Sequence, residues 1–251
     1  MDGADLTELL GLRHGVLRAL VESPRPRHEL VDALPDSKST VYKGLTQLEE
    51  AGLVERTEAG FAPTLFGVVA LARYEELAAT AEYGDLLAGL PGDAVDPAAL
   101  VGATVVRPDD ADTERHLDAV WDLLSEADRA RGVAPVVSPG YVERFLAILD
   151  EGLQAELVLP STVVAGLRAD HADALAAVAE RATLYETAET VPFGVVVTEG
   201  TAGAPMRMAI ELRDGPLLTA LVTNDTPRAH AWATATFERY RGEATPVDVG
   251  E

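Results

Sequence analysis

The chain has 251 residues, 47% apolar and 25% charged, so it can form a packed core and wholesale disorder is excluded. It contains no cysteine, which excludes disulfides, thiolate zinc sites, iron–sulfur clusters and a thiol nucleophile. No apolar run approaches the roughly 20 residues that cross a bilayer, and Met1–Glu8 has no basic residue, so we expect no membrane span, no secretory signal and a cytoplasmic location.

The net charge of −22 is distributed unevenly along the chain. Lys38 and Lys43 are the only lysines, and the excess of carboxylates with so little lysine resembles the composition of proteins from extreme halophiles. Salt screens the mutual repulsion of carboxylates, so such acidity costs little in a salty cytoplasm. Residues 13–56 are balanced in charge and hold both lysines, which favours contact with a polyanion. The alternatives are an ordinary acidic protein and a chance placement of two lysines.

Two helices are predicted before residue 36. Apolar residues at helical spacing over Leu6–Val21 predict the first, which Gly11 or Gly15 can interrupt. Prolines at 24 and 26 end it, and Pro26 can open a short second helix that Pro35 ends.

The third predicted helix, residues 37–51, is amphipathic. Asp36 or Ser37 can cap its N-terminus. Its apolar residues Val41, Leu45 and Leu48 recur at helical spacing and face the core. Its polar residues therefore lie on the other faces; they are Lys38, Ser39, Thr40, Tyr42, Lys43, Thr46 and Gln47.

A β-hairpin is predicted next, with one strand at 53–56, a turn at 58–60 and a return at 61–63. Three helices and a hairpin in this order are typical of a winged helix-turn-helix. The stretch Ser37–Arg56 has a Ser-x-Ser-Thr-Val helix start and Gly-Leu-Val at the entry to the hairpin. It resembles archaeal and bacterial winged-helix transcription regulators.

This resemblance implies that the third helix enters the major groove of double-stranded DNA. Its lysines would meet phosphates or guanine edges, Tyr42, Thr46 and Gln47 would read bases, and the hydroxyls at its start would hydrogen-bond the backbone. The residues predicted to contact DNA are Arg27, Lys38, Ser39, Thr40, Tyr42, Lys43, Thr46, Gln47 and Arg56.

The wing tip leaves a second function open. Glu58 makes it acidic where a DNA-binding wing is commonly basic, and Arg56 is the only wing cation. Winged helices also serve as protein-docking modules. The alternative is therefore an interaction adaptor whose winged domain does not bind DNA.

A long helix is predicted from Thr64 towards Ala81 and as far as Leu90. It is apolar on more than one side, so one face can cover the winged domain. Another can pair with a second copy and set two recognition helices about 34 Å apart, one turn of DNA. The alternative is burial against the second domain. A linker is predicted from Pro91 to Pro97.

From residue 100 onwards short strands alternate with helices, which predicts an α/β domain with a mixed sheet and flanking helices. Strands are predicted at 103–106, 133–137, 155–159, 184–185, 194–198, 206–212 and 217–223. Helices are predicted at 116–124, 141–149 and 226–240, and further helical structure at 162–181. The predicted fold class of the whole chain is α+β.

The C-terminal half carries a second resemblance. The run from Val191 to Tyr240 contains Pro-Phe-Gly-Val, then strands, then Asn-Asp before Ala-Trp-Ala. It resembles the C-terminal sensor domain of haloarchaeal regulators related to the methanogenesis regulatory protein. The architecture is similar to that of TrmB-type regulators, whose sensor is likened to phospholipase D. The resemblance implies a ligand- or signal-responsive transcription factor with a DNA-binding domain at 1–63, a connecting and dimerisation segment at 64–99 and a sensor domain at 100–251.

The sequence predicts no enzyme. No lysine follows Lys43, which excludes the His-x-Lys motif of phospholipase D, a Schiff-base lysine and a Walker-type phosphate loop beyond that point. The histidines do not form a metal-binding pair, and no Gly-x-Ser-x-Gly occurs. Asp109, Asp110 and Asp112 can hold a hard cation, but a solvated loop is the interpretation we adopt. No cofactor is predicted.

The predicted effector site follows from topology. Open α/β sheets bind ligands at the carboxyl ends of their strands. The candidates there are Arg107, Ser138, Tyr141 and Ser161. Arg107 and Ser138 would meet an anionic metabolite, and Tyr141 would wall the cavity.

Overall fold

The computed structural model describes residues 2–92, 94–107, 115–137, 139–200, 206–215 and 217–248, without the side chains of 115–117 and 139. The chain divides into an N-terminal unit, Met1–Ala81, and a C-terminal unit, Glu82–Glu251. The division falls inside the predicted connecting segment 64–99, so the helix that opens this segment belongs to the N-terminal unit. The three-part division of the sequence stays a prediction. None of the described helices combines the length with the apolar character that a membrane span needs.

The N-terminal unit is a winged helix-turn-helix, as predicted. Its elements are α1 (Gly3–Glu22), α2 (Arg27–Ala33), α3 (Lys38–Glu50), β1 (Val54–Thr57), β2 (Gly60–Pro63) and α4 (Leu65–Glu82). The first helix continues through both of its internal glycines. The β1–β2 hairpin is the wing, and Arg25 adds an isolated bridge to Phe61, with backbone N···O distances of 3.1 and 3.0 Å.

One apolar core joins the elements of this unit. Its fully buried side chains include Leu17 and Leu20 of α1 and Leu45 and Leu48 of α3. Because α3 is amphipathic, burial of its apolar side in this core leaves its polar side facing outward.

Two glycines allow the wing to pack closely. A Cβ at Gly67 would overlap the Leu53 carbonyl oxygen, so α4 lies directly against the backbone that enters the wing. Thr64 fastens the same junction, since its hydroxyl donates to the Gly52 carbonyl oxygen at 2.7 Å. Gly60 has a φ of +125°, a conformation that favours glycine, and a Cβ there would lie 2.6 Å from the Arg25 carbonyl oxygen.

The C-terminal unit alternates helices and strands. Its first elements are α5 (Gly84–Leu87), a 3-10 turn (Pro97–Ala99), β3 (Thr104–Val106), α6 (Arg115–Ser125), β4 (Arg129–Val133), α7 (Pro139–Asp150), β5 (Gln154–Pro160) and α8 (Ser161–Asp170). They are followed by α9 (Ala172–Ala179), β6 (Thr183–Thr187), β7 (Gly194–Glu199), β8 (Arg207–Asp214), β9 (Leu217–Asn224), α10 (Pro227–Gly242) and β10 (Thr245–Pro246).

The strands form one mixed sheet in the order β10-β6-β5-β4-β7-β8-β9-β3. Strands β4, β5 and β6 are parallel, and the other pairs are antiparallel. Consecutive residues of β4 face opposite sides: Ala130 packs in the core with α6–α9, whereas Arg131 pairs with Glu238 on α10. The mixed sheet with helices on both faces is the predicted α/β architecture, and the α+β class of the chain is confirmed.

The largest differences from the prediction in this unit concern three elements. The strand expected at 133–137 lies instead at Arg129–Val133, because Pro135 cannot donate to a ladder and because the charge of Arg131 is matched by Glu199 and Glu238. The helical segment expected at 162–181 consists of two helices, separated where the backbone of His171 leaves the helical conformation. The short β10 was not predicted.

Candidate nucleic-acid interface

The start of α3 is held by the serine that precedes it. Ser37, not Asp36, is the N-cap: its side-chain oxygen accepts from the Thr40 backbone N–H at 3.2 Å. The same oxygen lies 2.9 Å from Ser39 Oγ and 2.8 Å from Thr40 Oγ1. The two predicted contact hydroxyls therefore already have a local partner, and of the two only Ser39 is exposed.

The polar side of α3 is presented to solvent. We use the term outer face for its exposed and half-buried residues Lys38, Ser39, Tyr42, Lys43 and Thr46. Thr46 donates its hydroxyl proton to the Tyr42 carbonyl oxygen at 3.1 Å, so its oxygen is left as an acceptor. The outer face thus combines two ammonium groups, a phenol and hydroxyls, which suits phosphates and base edges.

An arginine outside α3 is fixed at one edge of the outer face. Arg27 Cζ lies 4.9 Å from the centre of the Tyr42 ring and 5.4 Å from that of Phe61. Lys38 Nζ lies 5.5 Å from the Tyr42 ring centre. Cations over aromatic faces are attracted by the ring quadrupole, so Tyr42 orients two positive charges beside α3.

A second arginine, Arg13, lies at the opposite edge, and it is not among the residues predicted to contact DNA. Arg13 Nε donates to Gln47 Oε1 at 2.8 Å. Gly44 makes room for this arginine, since a Cβ there would lie 2.9 Å from Arg13 Cδ. This bond takes up one lone pair of Gln47 Oε1, so the amide N–H groups of Gln47 are the better placed for a contact with DNA. The glycine inside an otherwise regular helix was the one signal that pointed to Arg13.

The arginine of the wing, Arg56, is held in an ion pair with Glu49. Arg56 Nε and Nη2 donate to the two carboxylate oxygens of Glu49 at 2.6 and 3.1 Å. The hydrogen bond from Arg56 holds the pKa of Glu49 below its usual range, and Glu49 raises the pKa of Arg56. The charge of Arg56 is thus already matched by Glu49, which weakens any attraction of Arg56 to a phosphate.

Positive charge without a carboxylate partner is concentrated around α3. In the C-terminal unit the arginines bound to carboxylates are Arg107, Arg131, Arg144, Arg168, Arg181, Arg207, Arg213 and Arg239. Within the described ranges, the cations of the N-terminal unit that form no ion pair are Arg13, Arg25, Arg27, Lys38 and Lys43. In the described part of the C-terminal unit, Arg129 and Arg241 also lack one. A strongly acidic chain thus leaves positive charge available on both sides of the helix that was predicted to enter the major groove.

The predicted effector residues are not brought together. Arg107 follows β3 and forms an ion pair with Asp85 at 3.0 Å, whereas Ser161 follows β5 and donates to the Thr187 carbonyl oxygen at 3.0 Å. Strands β4, β7, β8 and β9 lie between these two positions because β3 pairs with β9 at the far edge of the sheet. Tyr141 lies on α7, within 3.4 Å of Arg213 Nη2. Ser138 lies outside the described residues.

No group of three or more potential metal ligands occurs in the described ranges. Asp109, Asp110 and Asp112 lie outside them.

Two family models match the chain. Residues 114–243 match the model described as "Methanogenesis regulatory protein FilR1, middle domain", and residues 2–85 match the "HVO_A0261 N-terminal domain". No curated protein matches the chain.

Several solved structures are similar to it. The archaeal chromatin protein TrmBL2 is 16% identical, with 98% of this chain and 100% of that chain covered and a TM-score of 0.44. Nuc, a phospholipase D family member from Salmonella typhimurium, is 11% identical, with 58% and 97% covered and a TM-score of 0.43. A putative IclR transcriptional regulator from Silicibacter is 17% identical, with 92% of each chain covered and a TM-score of 0.28.

Proposed function

Because the chain belongs to the family of the methanogenesis regulatory protein FilR1, we propose that it is a transcription regulator that binds promoter DNA in the cytoplasm. The observation that carries the proposal is the group of cations without carboxylate partners around α3, in a chain whose net charge is −22. We propose that the chain is a binding protein and not an enzyme.

The contacts follow from the position of each side chain. The outer face of α3 enters the major groove, where Lys38 and Lys43 meet phosphates or guanine edges. Tyr42 and Thr46 lie between the lysines on the same side of the helix and contact bases. Arg27 at one edge of the outer face and Arg13 at the other contact the phosphates that border the groove.

The pair between Glu49 and Arg56 opposes DNA binding, which leads to a prediction. Glu49→Gln removes a negative charge beside the groove and releases Arg56 to reach a phosphate. We expect the affinity for duplex DNA to rise about threefold to tenfold, in line with the gain of one charge-assisted contact. Fluorescence anisotropy of a labelled duplex measures the change.

Glu50→Gln is the matched control for this variant. Glu50 is the next residue, exposed on the same helix, and no ion pair of it is present in the described ranges. Its change removes the same charge without releasing an arginine, so we expect a smaller effect. An equal gain in both variants would show that Arg56 does not contact DNA.

One observation favours the second candidate, a protein-interaction adaptor. Arg56 is bound by Glu49, and the tip of the wing carries the acidic Glu58. In the described structure the wing therefore offers no unpaired cation to a minor groove. In this alternative the outer face of α3 would bind an acidic protein surface, and duplex DNA would not compete with it.

The exposed apolar side of α4 supports the proposal that the protein forms a dimer. Leu65, Phe66 and Val69 are exposed to 80, 46 and 50% near the start of α4. Large apolar side chains grouped in this way on a surface commonly mark a protein contact. We infer that the occupant is a second copy, because α4 directly follows the wing and pairing two such helices would place two α3 helices for two half-sites of DNA.

A charge on this surface tests the dimer. We expect Val69→Glu to convert the dimer to a monomer, since pairing would bury an unmatched carboxylate. Ala78→Glu adds the same charge at an exposed position farther along α4 and should leave the dimer intact. Light scattering after gel filtration in molar potassium chloride gives both masses. A monomeric wild-type protein would contradict the inference.

The C-terminal unit is proposed as the sensor of a small molecule or partner. Arg107 and Ser161 are separated by four strands of the sheet, so they do not form one anion site, and Tyr141 is the predicted residue that remains a candidate for contact with the effector.

A further inference from the structure

The C-terminal unit contains an apolar cavity of about 130 Å³ between its sheet and the helices that cover one face. Helices α6, α7, α8 and α9 contribute side chains to its wall, together with β4 and β5. The segment after β4, with Val136 and Val137, also lines it. The cavity therefore reaches the carboxyl end of a parallel strand, the place where open α/β sheets bind ligands.

Aromatic side chains form one wall. Trp121 and Tyr141 meet edge to face, with ring centres 5.7 Å apart, and Phe145 lines the cavity beside them. Aromatic rings pair well with the edge or the offset face of another ring. An engineered apolar cavity of about 150 Å³ binds benzene, so a cavity of this size and lining accepts one six-membered ring.

The polar side chains at the cavity indicate which polar group a bound molecule would need besides its ring. Glu211 lines it, and its Oε2 accepts from Arg213 Nη2 at 2.7 Å. The other carboxylate oxygen of Glu211 has no hydrogen-bond partner in the described ranges. Gly194, the cross-strand neighbour of Glu211, leaves the space that this side chain occupies. Tyr141 receives a long hydrogen bond from Arg213 at 3.4 Å, so its own hydroxyl proton can be donated.

We propose that this cavity binds a small uncharged molecule with one hydrocarbon ring and one hydroxyl group, the chemical class of phenol. The ring packs among the aromatic and aliphatic walls. The ligand hydroxyl donates to Glu211 and accepts from Tyr141. The inference rests on the proposed sensing role of the C-terminal unit. It replaces the expected anionic metabolite, because the charge of Arg213 at this end of the cavity is already matched by Glu211.

Calorimetric titration of the full chain with phenol, toluene and benzoate tests the proposal, without DNA and in molar potassium chloride. We expect saturable binding of one phenol per chain, weaker binding of toluene and none of benzoate. Ala174→Leu adds bulk at a residue that lines the cavity and should weaken phenol at least about tenfold. Ala172→Leu makes the same change at an exposed position of the same helix and should have no effect.

A further variant tests the polar end. Tyr141→Phe keeps the wall but removes the donor, so phenol should weaken about fivefold while toluene is unchanged. The proposal would be overturned if phenol showed no saturable binding, if Ala174→Leu left phenol binding unchanged, or if benzoate bound as tightly as phenol. Since no DNA is present, these outcomes are independent of whether α3 binds a promoter.

Discussion

Replacing Lys38 and Lys43 together with alanine is expected to lower the affinity for promoter DNA about 100-fold, or about tenfold for each charge-assisted contact. Lys38 and Lys43 are exposed and pair with no carboxylate in the described ranges, so their removal takes no contact from the core. The unfolding transition should therefore stay where it is. Anisotropy of a labelled duplex measures affinity, and circular dichroism follows unfolding.

The control for this variant removes the same charge elsewhere. Arg73 on α4 and Arg181 in the C-terminal unit are held in ion pairs with Glu76 and Asp150, and neither belongs to α3. Changing both to alanine adds the same net negative charge without touching the outer face. We expect a loss of affinity well below that of the lysine variant. Equal losses would assign the effect to overall charge, and no loss in the lysine variant would favour the adaptor.

Gly67→Ala is expected to destabilise the N-terminal unit by about 3 kcal/mol, because overpacking forces a backbone shift. Its Cβ would overlap the Leu53 carbonyl oxygen, a backbone atom that no rotamer change can move aside. The α4 helix would be pushed away from the wing. The core that holds α3 against α1 would lose the residues that α4 contributes, Ala70 and Leu71.

Spectroscopy can separate this effect from the rest of the chain. Both tryptophans, Trp121 and Trp232, lie in the C-terminal unit, so their fluorescence reports that unit alone. In urea the helical dichroism of Gly67→Ala should show an earlier transition while tryptophan fluorescence is unchanged.

The matched control is Gly15→Ala. Gly15 lies inside α1 with no atom within 4 Å of its Cβ position, and alanine there should stabilise the helix by about 0.5–1 kcal/mol. Equal transitions for the two variants would show that α4 does not pack on Leu53.

The winged unit was predictable because its signals are local. The period of Val41, Leu45 and Leu48 fixes which side of α3 faces the core, and a capping serine fixes where α3 begins. The two internal glycines of α1 did not interrupt it, since packing of its apolar side outweighs their weak helix propensity.

The edges of the interface were not predictable in the same way. Arg13 reaches Gln47 from α1, 34 residues earlier in the chain, and Arg56 is captured by Glu49 after the chain has turned through the wing entry. Such contacts depend on how elements pack, which residue spacing does not encode. The isolated bridge of Arg25 to Phe61 is another contact of this kind.

In the C-terminal unit the existence of the elements was predictable and their order in the sheet was not. Periodicity located most strands to within one or two residues. Sheet order is set by crossovers, so Arg107 was expected beside Ser161 although β3 pairs at the far edge. The cavity could not be predicted, because the apolar residues that line it have the same sequence pattern as residues of a filled core.

The most direct test of the account is selection of bound sequences from a random duplex library by the purified full chain in molar potassium chloride. We expect enrichment of one site with two half-sites about one DNA turn, 34 Å, apart, and loss of that enrichment in the variant that lacks Lys38 and Lys43. A library that emerges with no sequence enriched, or one enriched equally by both proteins, would contradict DNA recognition by α3.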